Sequence, residues 1–206
     1  MNVTCRATSA PLLLTVALLG CFAKPALVVQ EFTLDPPAPC DPPSGGLVVE
    51  LRRVEMAPAF RQRDLAYRTG PHKLELDPYA SLAAPPAELC AAALRGFLRN
   101  AAGIGAVVAP GSTQAPELVI DAYVTELSGD FRSSTDPAGV VELDLTVSTP
   151  ATAQAPARVV LRRDYLERKK IDTRTAAAVV EAWNHGLASA VESFAGDLKS
   201  VGSAAR

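Results

Sequence analysis

The stretch VELDLTVS, residues 141–148, decides the fold class of this chain. Apolar residues occupy every second position from Val141 to Val147, and polar residues fill the positions between them. This period of two belongs to a β-strand with one buried face and one face toward water. Strands of this kind are typical of antiparallel sheets, so the stretch predicts an antiparallel strand.

Further strand patterns lie on both sides of this stretch. Residues 118–125 alternate in the same way, and residues 158–169 are rich in β-formers, which predicts three consecutive antiparallel strands. Nearer the N-terminus, the sequence predicts a strand at 47–56, a hairpin of 65–69 with 73–77 around Gly70-Pro71, and a short strand at 104–109. Pro78 is expected to end the second strand of the hairpin.

Two segments have helical spacing instead. Pro85–Ala101 begins with a proline pair that suits a first turn, and Thr173–Val201 carries an apolar stripe that includes Trp183, with Asp172 or Thr173 as its N-cap. The order of elements predicts an α+β fold: a mixed, mostly antiparallel sheet with two helices packed on one face. Because Trp183 falls on the apolar stripe, we expect it to pack in the core rather than to bind a ligand.

The first twenty residues have the pattern of a signal peptide. Residues 11–19 form an apolar run that is too short to span a bilayer, and LLGC at 18–21 resembles the bacterial lipobox. This interpretation predicts cleavage before Cys21 and attachment of a lipid to its thiol. The alternative is an ordinary secretory signal cut after Ala23, which would discard Cys21.

A proline-rich segment follows the predicted anchor. Residues 21–46 contain prolines at high density around Cys40 and are expected to form an extended, semi-rigid tether before a folded domain at 47–202. Within the tether, Val28–Leu34 would either pair as an edge strand or lack structure.

Four cysteines are present, and Cys5 lies in the predicted signal. In an oxidising compartment Cys40 and Cys90 would be a candidate disulfide, although Cys90 would also serve as a small buried apolar residue. Their spacing matches neither a zinc site nor a redox site.

No catalytic, metal-binding or cofactor motif appears in the sequence. His185 would be a general base or ligand only with partners that no readable spacing supplies, so an exposed helical histidine is favoured, and His72 lies in a turn. Glu142 and Asp144 are expected on a solvated sheet face. A formal net charge of −2 gives no basic field for nucleic acid, and the mixed run 162–170 would either meet an acidic partner or head groups or be a solvated strand end.

Several segments together resemble the ABC-type transport auxiliary lipoprotein family (PqiC-like). The resemblance covers nearly the whole mature chain and rests on the order of motifs that are individually weak. They are the lipobox at Cys21, the segment Phe32–Pro37, the strand Val48–Met56 with Pro58 after it, the strands Asp64–Arg68 and Leu74–Tyr79, and the C-terminal helix with Trp183. The family usually has a Trp just before its first long helix, where this chain has Leu82.

The resemblance implies a non-enzymatic, lipid-anchored periplasmic subunit. Such proteins accompany an ABC permease, its ATPase and an MCE-domain protein that moves lipids between the inner and outer membranes. Phe22 rather than Asp follows Cys21, which implies an outer-membrane lipoprotein facing the periplasm, and a homo-oligomer is compatible with this role. The alternatives are a periplasmic lipoprotein that binds a lipid or other amphiphile in a pocket between helices and sheet, and an envelope hydrolase.

Overall fold

The computed structural model describes residues 28–37 and 46–204, with side chains to residue 201, and shows one mixed sheet with two α-helices. The strands are β1 Gln30–Phe32, β2 Leu47–Met56, β3 Asp64–Gly70, β4 Lys73–Leu82, β5 Ile104–Val108, β6 Leu118–Asp130, β7 Ala138–Thr149 and β8 Arg158–Lys170. The helices are α1 Pro86–Arg99 and α2 Ala176–Ala204, and a short 3-10 turn covers Pro58–Phe60. The predicted α+β class is confirmed.

The sheet is organised around β6. One edge of β6 pairs with β7 along almost its whole length, and β7 pairs in turn with β8. The other edge of β6 is shared, because β2 pairs in parallel with its first half up to Val124 and β3 pairs with Gly129 and Asp130. β5 extends the sheet beyond β2, while β4 and then β1 extend it beyond β3. Most of the paired residues lie in the antiparallel ladders, as predicted.

Both helices pack on the same face of this sheet. α1 contacts β2 and β5, α2 contacts β7 and β8, and the two helices contact each other. The alternating residues Leu143 and Leu145 of β7 are buried beneath α2, together with Trp183 and Phe194 from the helix itself. The apolar alternation of β7 therefore supplies one layer of the core and the stripe of α2 supplies the other.

α2 lies directly on β7 at Gly139. A Cβ atom at this position would stand 2.6 Å from the Cβ of Ala182 and 3.1 Å from the carbonyl oxygen of Val179. Only glycine fits such a close approach of helix and sheet backbones. The backbones of α2 and β7 are therefore so close at this point that no side chain fits between them.

Pro78 does not end β4, contrary to the prediction. The pairing of β4 with β3 shifts register between Leu76 and Ser81, so Pro78 lies where the ladder is interrupted. Asp77 Oδ1 accepts a hydrogen bond of 2.8 Å from the Tyr79 amide across this irregularity. Because the ladder requires no N–H from residue 78 here, the strand continues to Leu82.

The N-terminus of α2 also differs from the prediction. Thr175, rather than Asp172 or Thr173, caps the helix: its Oγ1 accepts a hydrogen bond of 3.3 Å from the Ala178 amide. This is the usual bond of a threonine N-cap to the third helical residue.

The segment before β2 is docked on the domain. β1 pairs in parallel with β4, Leu34 and Pro36 are buried, and the Asp35 amide donates a hydrogen bond of 2.9 Å to Oδ1 of Asn184 on α2. The edge-strand alternative for Val28–Leu34 therefore applies, and residues 30–37 of the predicted tether belong to the folded unit. Residues 21–27 and 38–45 of that tether lie outside the described residues.

Candidate functional site

The cysteines that carry the sequence predictions are placed only in part. Cys21 and Cys40 lie outside the described residues, so lipidation at Cys21 and a Cys40–Cys90 disulfide stay predictions. Cys90 lies on the inner side of α1 with no exposed surface, and its burial raises the pKa of the thiol to about 12. A thiol in this environment is protonated and unreactive at neutral pH.

The histidines do not form a site within the described part of the chain. His185 is exposed on α2, and its Nε2 lies 4.0 Å from Oε1 of Glu181, one turn earlier and itself exposed. His72 is exposed in the turn between β3 and β4. Among the described residues, no group of three or more His, Cys, Asp or Glu side chains is arranged to hold a metal ion.

Trp183 packs in the core, as predicted. Its ring is almost fully buried, and its Nε1 donates a hydrogen bond of 2.9 Å to the carbonyl oxygen of Ser128 on β6. The indole therefore holds α2 over the C-terminal end of β6. Leu82, at the position where the family resemblance implies a Trp, is also buried.

The face of the sheet opposite the helices, here called the open face, is polar. Glu142 and Asp144 point to this face, since their neighbours Leu143 and Leu145 point to the helices. Asp144 accepts a hydrogen bond of 2.6 Å from Arg162, and Asp121 forms an ion pair with Arg52. These two pairs neutralise Asp121 and Asp144 on the open face.

An open depression of about 280 Å³ lies on this face. It is shallow and lined mainly by charged and polar side chains, which suits contact with a protein surface better than enclosure of a small apolar ligand. Its lining residues are Arg52, Arg53, Glu55, Asp121, Ala122, Tyr123, Asp144 and Thr146.

A second polar cluster surrounds the C-terminal end of β6. Arg132 donates hydrogen bonds of 2.8 and 2.9 Å to the carboxylate of Asp130, and Arg168 of β8 lies 3.6 Å from it. The bonds from Arg132, despite the opposing effect of burial, lower the pKa of Asp130 to about 2. Asp130 is therefore a buried carboxylate held ionised by arginines from the adjacent loop and the edge strand.

The mixed run 162–170 is mostly paired within the fold. Arg163 and Tyr165 of β8 both donate hydrogen bonds to Asp197 of α2, at 2.8 and 2.6 Å. Arg162, Arg168 and Lys169 have carboxylate partners as well. These contacts favour the interpretation of a strand that is neutralised locally over that of a free basic patch.

The sequence did not indicate these charge pairs. Asp144 was expected on a solvated face, but the arginine partners of Asp144 and Asp121 lie on other strands, and periodicity carries no information on the register that brings them together. Asp130 and Asn184 gave no local signal, because each acts through a partner that the sequence pattern does not identify.

The sequence model of one protein family, the ABC-type transport auxiliary lipoprotein component, matches residues 32–195. The chain belongs to this family. The matched region runs from β1 to α2 and so covers nearly every described element. A cell-envelope location and an auxiliary role in transport follow from this membership. No curated protein matches the sequence.

Solved structures share the fold. The crystal structure of protein XCC0632 from Xanthomonas campestris superposes with a TM-score of 0.73 at 16% identity, covering 85% of this chain and 97% of that protein. A second crystal structure, of an uncharacterized protein, gives a TM-score of 0.64 at 12% identity and covers 83% and 99%. In the present chain, no helix among the described residues has the length and apolar character needed to cross a bilayer.

Proposed function

We propose that this chain is a lipid-anchored periplasmic accessory subunit of an ABC/MCE-type system that moves lipids between the inner and outer membranes. The observation that carries the proposal is the family match over residues 32–195 behind a lipobox that ends at Cys21. The anchor is a lipid on Cys21, and Phe22 in place of Asp supports the outer membrane as its location. The protein acts by binding, not by chemistry.

The surroundings of His185 support a non-enzymatic role. General base catalysis requires a nucleophile or a water held within hydrogen-bond reach of the imidazole. Among the described contacts, His185 meets only the exposed carboxylate of Glu181 at 4.0 Å. This pair has the geometry of a surface contact between residues four apart on a helix.

The packing of α2 weighs against an amphiphile pocket between helices and sheet. Gly139 brings the backbone of β7 against Ala182, and Trp183 fills the space beside this crossing. A lipid chain between α2 and β7 would have to separate these contacts. The accessory role is therefore preferred to lipid binding inside the domain.

The open face provides a surface for the MCE-domain protein or the permease. Its central charges, Asp121 and Asp144, already have arginine partners, so covering them costs less than covering lone charges. The depression beside Tyr123 offers a concave feature with an aromatic side chain, the kind of residue that is enriched at protein interfaces.

Metabolic labelling with a fatty-acid analogue tests the anchor. We expect label on the full chain and none on Cys21→Ala, whereas Cys5→Ala, which changes a cysteine in the predicted signal, should keep the label. Lipid retained in Cys21→Ala, or absent from the unchanged chain, would overturn the lipid anchor.

Site-specific photocrosslinking in cells tests the partner. A crosslinker at Tyr123 on the open face should capture an MCE-domain protein or a permease, and one at Glu181 on the exposed side of α2 should not. Capture only of a second copy of this chain at Tyr123 would assign the open face to a homo-oligomer and contradict the proposed docking. Equal capture at both positions would also contradict it.

A further inference from the structure

Exposed apolar side chains are concentrated at one edge of the sheet. The described residues include six large apolar side chains with substantial exposure, and four of them lie on or just before β1 and on β4. These four, here called the edge patch, are Val28 (82% exposed), Val29 (45%), Leu76 (40%) and Tyr79 (57%). The other two, Val159 and Leu166, are on β8.

The register brings Val29 and Tyr79 together. Gln30 pairs with Ala80 in the parallel β1–β4 ladder. The residues that precede them, Val29 and Tyr79, therefore lie side by side where the ladder begins. In a parallel pair, neighbours in register share a face of the sheet. Val29 and Tyr79 therefore form one continuous exposed apolar surface, and the exposed Val28 precedes it in the chain.

The edge patch also lies where the chain leads toward the predicted anchor. Val28 is the seventh residue after Cys21. Because an extended chain spans at most about 3.6 Å per residue, Val28 cannot be farther than about 25 Å from a lipid-bearing Cys21. This limit keeps the edge patch near the bilayer surface whatever path the intervening residues take.

We propose that the edge patch rests on the lipid bilayer that holds the anchor, with Tyr79 and Val29 in the head-group region; this inference rests on the proposed lipidation of Cys21. Tyrosine is enriched at membrane–water interfaces, where its ring is buried and its hydroxyl meets water. Two carboxylates near the patch have cationic partners, Glu31 with Arg63 at 2.7 Å and Glu75 with Lys73. Asp77, between Leu76 and Tyr79, instead accepts hydrogen bonds from the Tyr67 hydroxyl and the Tyr79 amide, each at 2.8 Å. Each of these three carboxylates therefore has a partner within the protein, which reduces its repulsion from anionic lipids.

Such contact would fix the orientation of the domain. A lipid anchor alone is a single point of attachment, whereas an anchor combined with a second contact presents a defined side of the sheet to the periplasm. The edge strand β8, which lies beyond β7 on the other side of β6 from β1, would then point away from the bilayer.

Fluorescence quenching by brominated lipids tests this contact. The full-length acylated protein is reconstituted in phosphatidylcholine vesicles with brominated acyl chains, as Tyr79→Trp and, for a matched control at an exposed apolar position on the far edge, Leu166→Trp. Trp183 is buried and present in every variant, so its emission is measured with the unchanged protein and subtracted. We expect the added emission of Tyr79→Trp to be quenched several-fold more than that of Leu166→Trp, and Val29→Trp serves as a second position if Tyr79→Trp does not fold.

Equal quenching at the two edges would overturn the inference. A blue shift in the emission of the Tyr79→Trp variant that grows with protein concentration in the absence of vesicles would assign the edge patch to a second copy and overturn it as well. Intact mass spectrometry separates this result from failure of the anchor: a lipid-bearing protein without selective quenching removes only the membrane contact. A protein without lipid removes both proposals.

Discussion

The indole of Trp183 on α2 donates its hydrogen bond to the carbonyl oxygen of Ser128 on β6, at 2.9 Å in the buried interior. This bond joins the long helix to the central strand. Trp183→Phe keeps most of the apolar contact but removes the donor, so we expect a loss of about 1–2 kcal/mol in the free energy of unfolding. Urea denaturation followed by far-ultraviolet circular dichroism measures it. Tyr79→Phe, at an exposed position, should leave the midpoint unchanged, and an equal change in both variants would contradict the role of the bond.

Gly139 and Gly96 form a matched pair for the packing of the helices. A Cβ at Gly139 would meet Ala182 at 2.6 Å, whereas one at Gly96 on α1 would have no neighbour within 4 Å. We expect Gly139→Ala to destabilise the protein by about 1–3 kcal/mol and Gly96→Ala to stabilise it by about 0.5–1 kcal/mol through helix propensity. Thermal unfolding of both variants measures the direction of each change in stability. Destabilisation by Gly96→Ala would show that another part of the protein packs against α1 at this position.

Asp130 should make stability depend on acid pH. Arg132 lowers the pKa of this carboxyl from 3.8 to about 2 in the fold, so the ionised group stabilises the protein above about pH 4. This contribution is lost as the pH falls from about 4 toward 2. Asp130→Asn should unfold more easily at neutral pH, by about 1–2 kcal/mol, and lose that part of the pH dependence. Asp136→Asn, at an exposed partner of Arg168, is the control and should leave the free energy of unfolding at neutral pH nearly unchanged.

Cys90 should resist alkylation in the native protein. Its thiol is completely buried and its pKa is raised to about 12 by that burial, so iodoacetamide should modify it only in denaturant. Alkylation in denaturant with and without a reductant then tests the predicted disulfide. Labelling of Cys90 only after reduction would support the bond to Cys40, and labelling without reductant would exclude it.

Asn184 should hold the docked segment in place. Its side chain accepts the hydrogen bond from the Asp35 amide, which ties residues 30–37 to α2. We expect Asn184→Ala to increase amide exchange several-fold in this segment, since a bond worth about 1 kcal/mol changes local opening by that much. Glu181→Ala, one turn earlier and exposed, is the control. Unchanged exchange in Asn184→Ala would show that Leu34 and Pro36 alone fix the segment.

The sequence predicted those parts of the fold whose signal is local. The alternation in residues 141–148 located β7, and the stripe around Trp183 located α2, because burial of one face leaves a period in the sequence. The parallel pairing of β2 with β6 was not predictable, since it joins residues about seventy positions apart and periodicity carries no information on register. Pro78 was misjudged because its effect depends on whether a ladder bond is needed at its position.

The candidate functional residues were likewise predictable only where their signal lies in the local sequence. Cys21 lies in a stretch that resembles a short sequence motif, so its lipidation can be predicted without structure, and it stays a prediction. The open face and the edge patch depend on which strands lie beside one another, and Tyr79 becomes notable only next to Val29. The choice of Thr175 over Thr173 as the cap of α2 depends on where the chain turns after β8, which propensity alone does not determine.

The shared edge of β6 has a consequence for the order of folding. In the described sheet, β1, β4 and β3 form one group and β2 with β5 another, and β6 alone connects them. The first hundred or so residues therefore produce two fragments with no strand to join them until residues 118–130 are available. Pairings between such distant segments form slowly, because a large loop must close before any contact stabilises it. We therefore expect a nascent chain with this connectivity to lack its complete sheet until β6 has been synthesised.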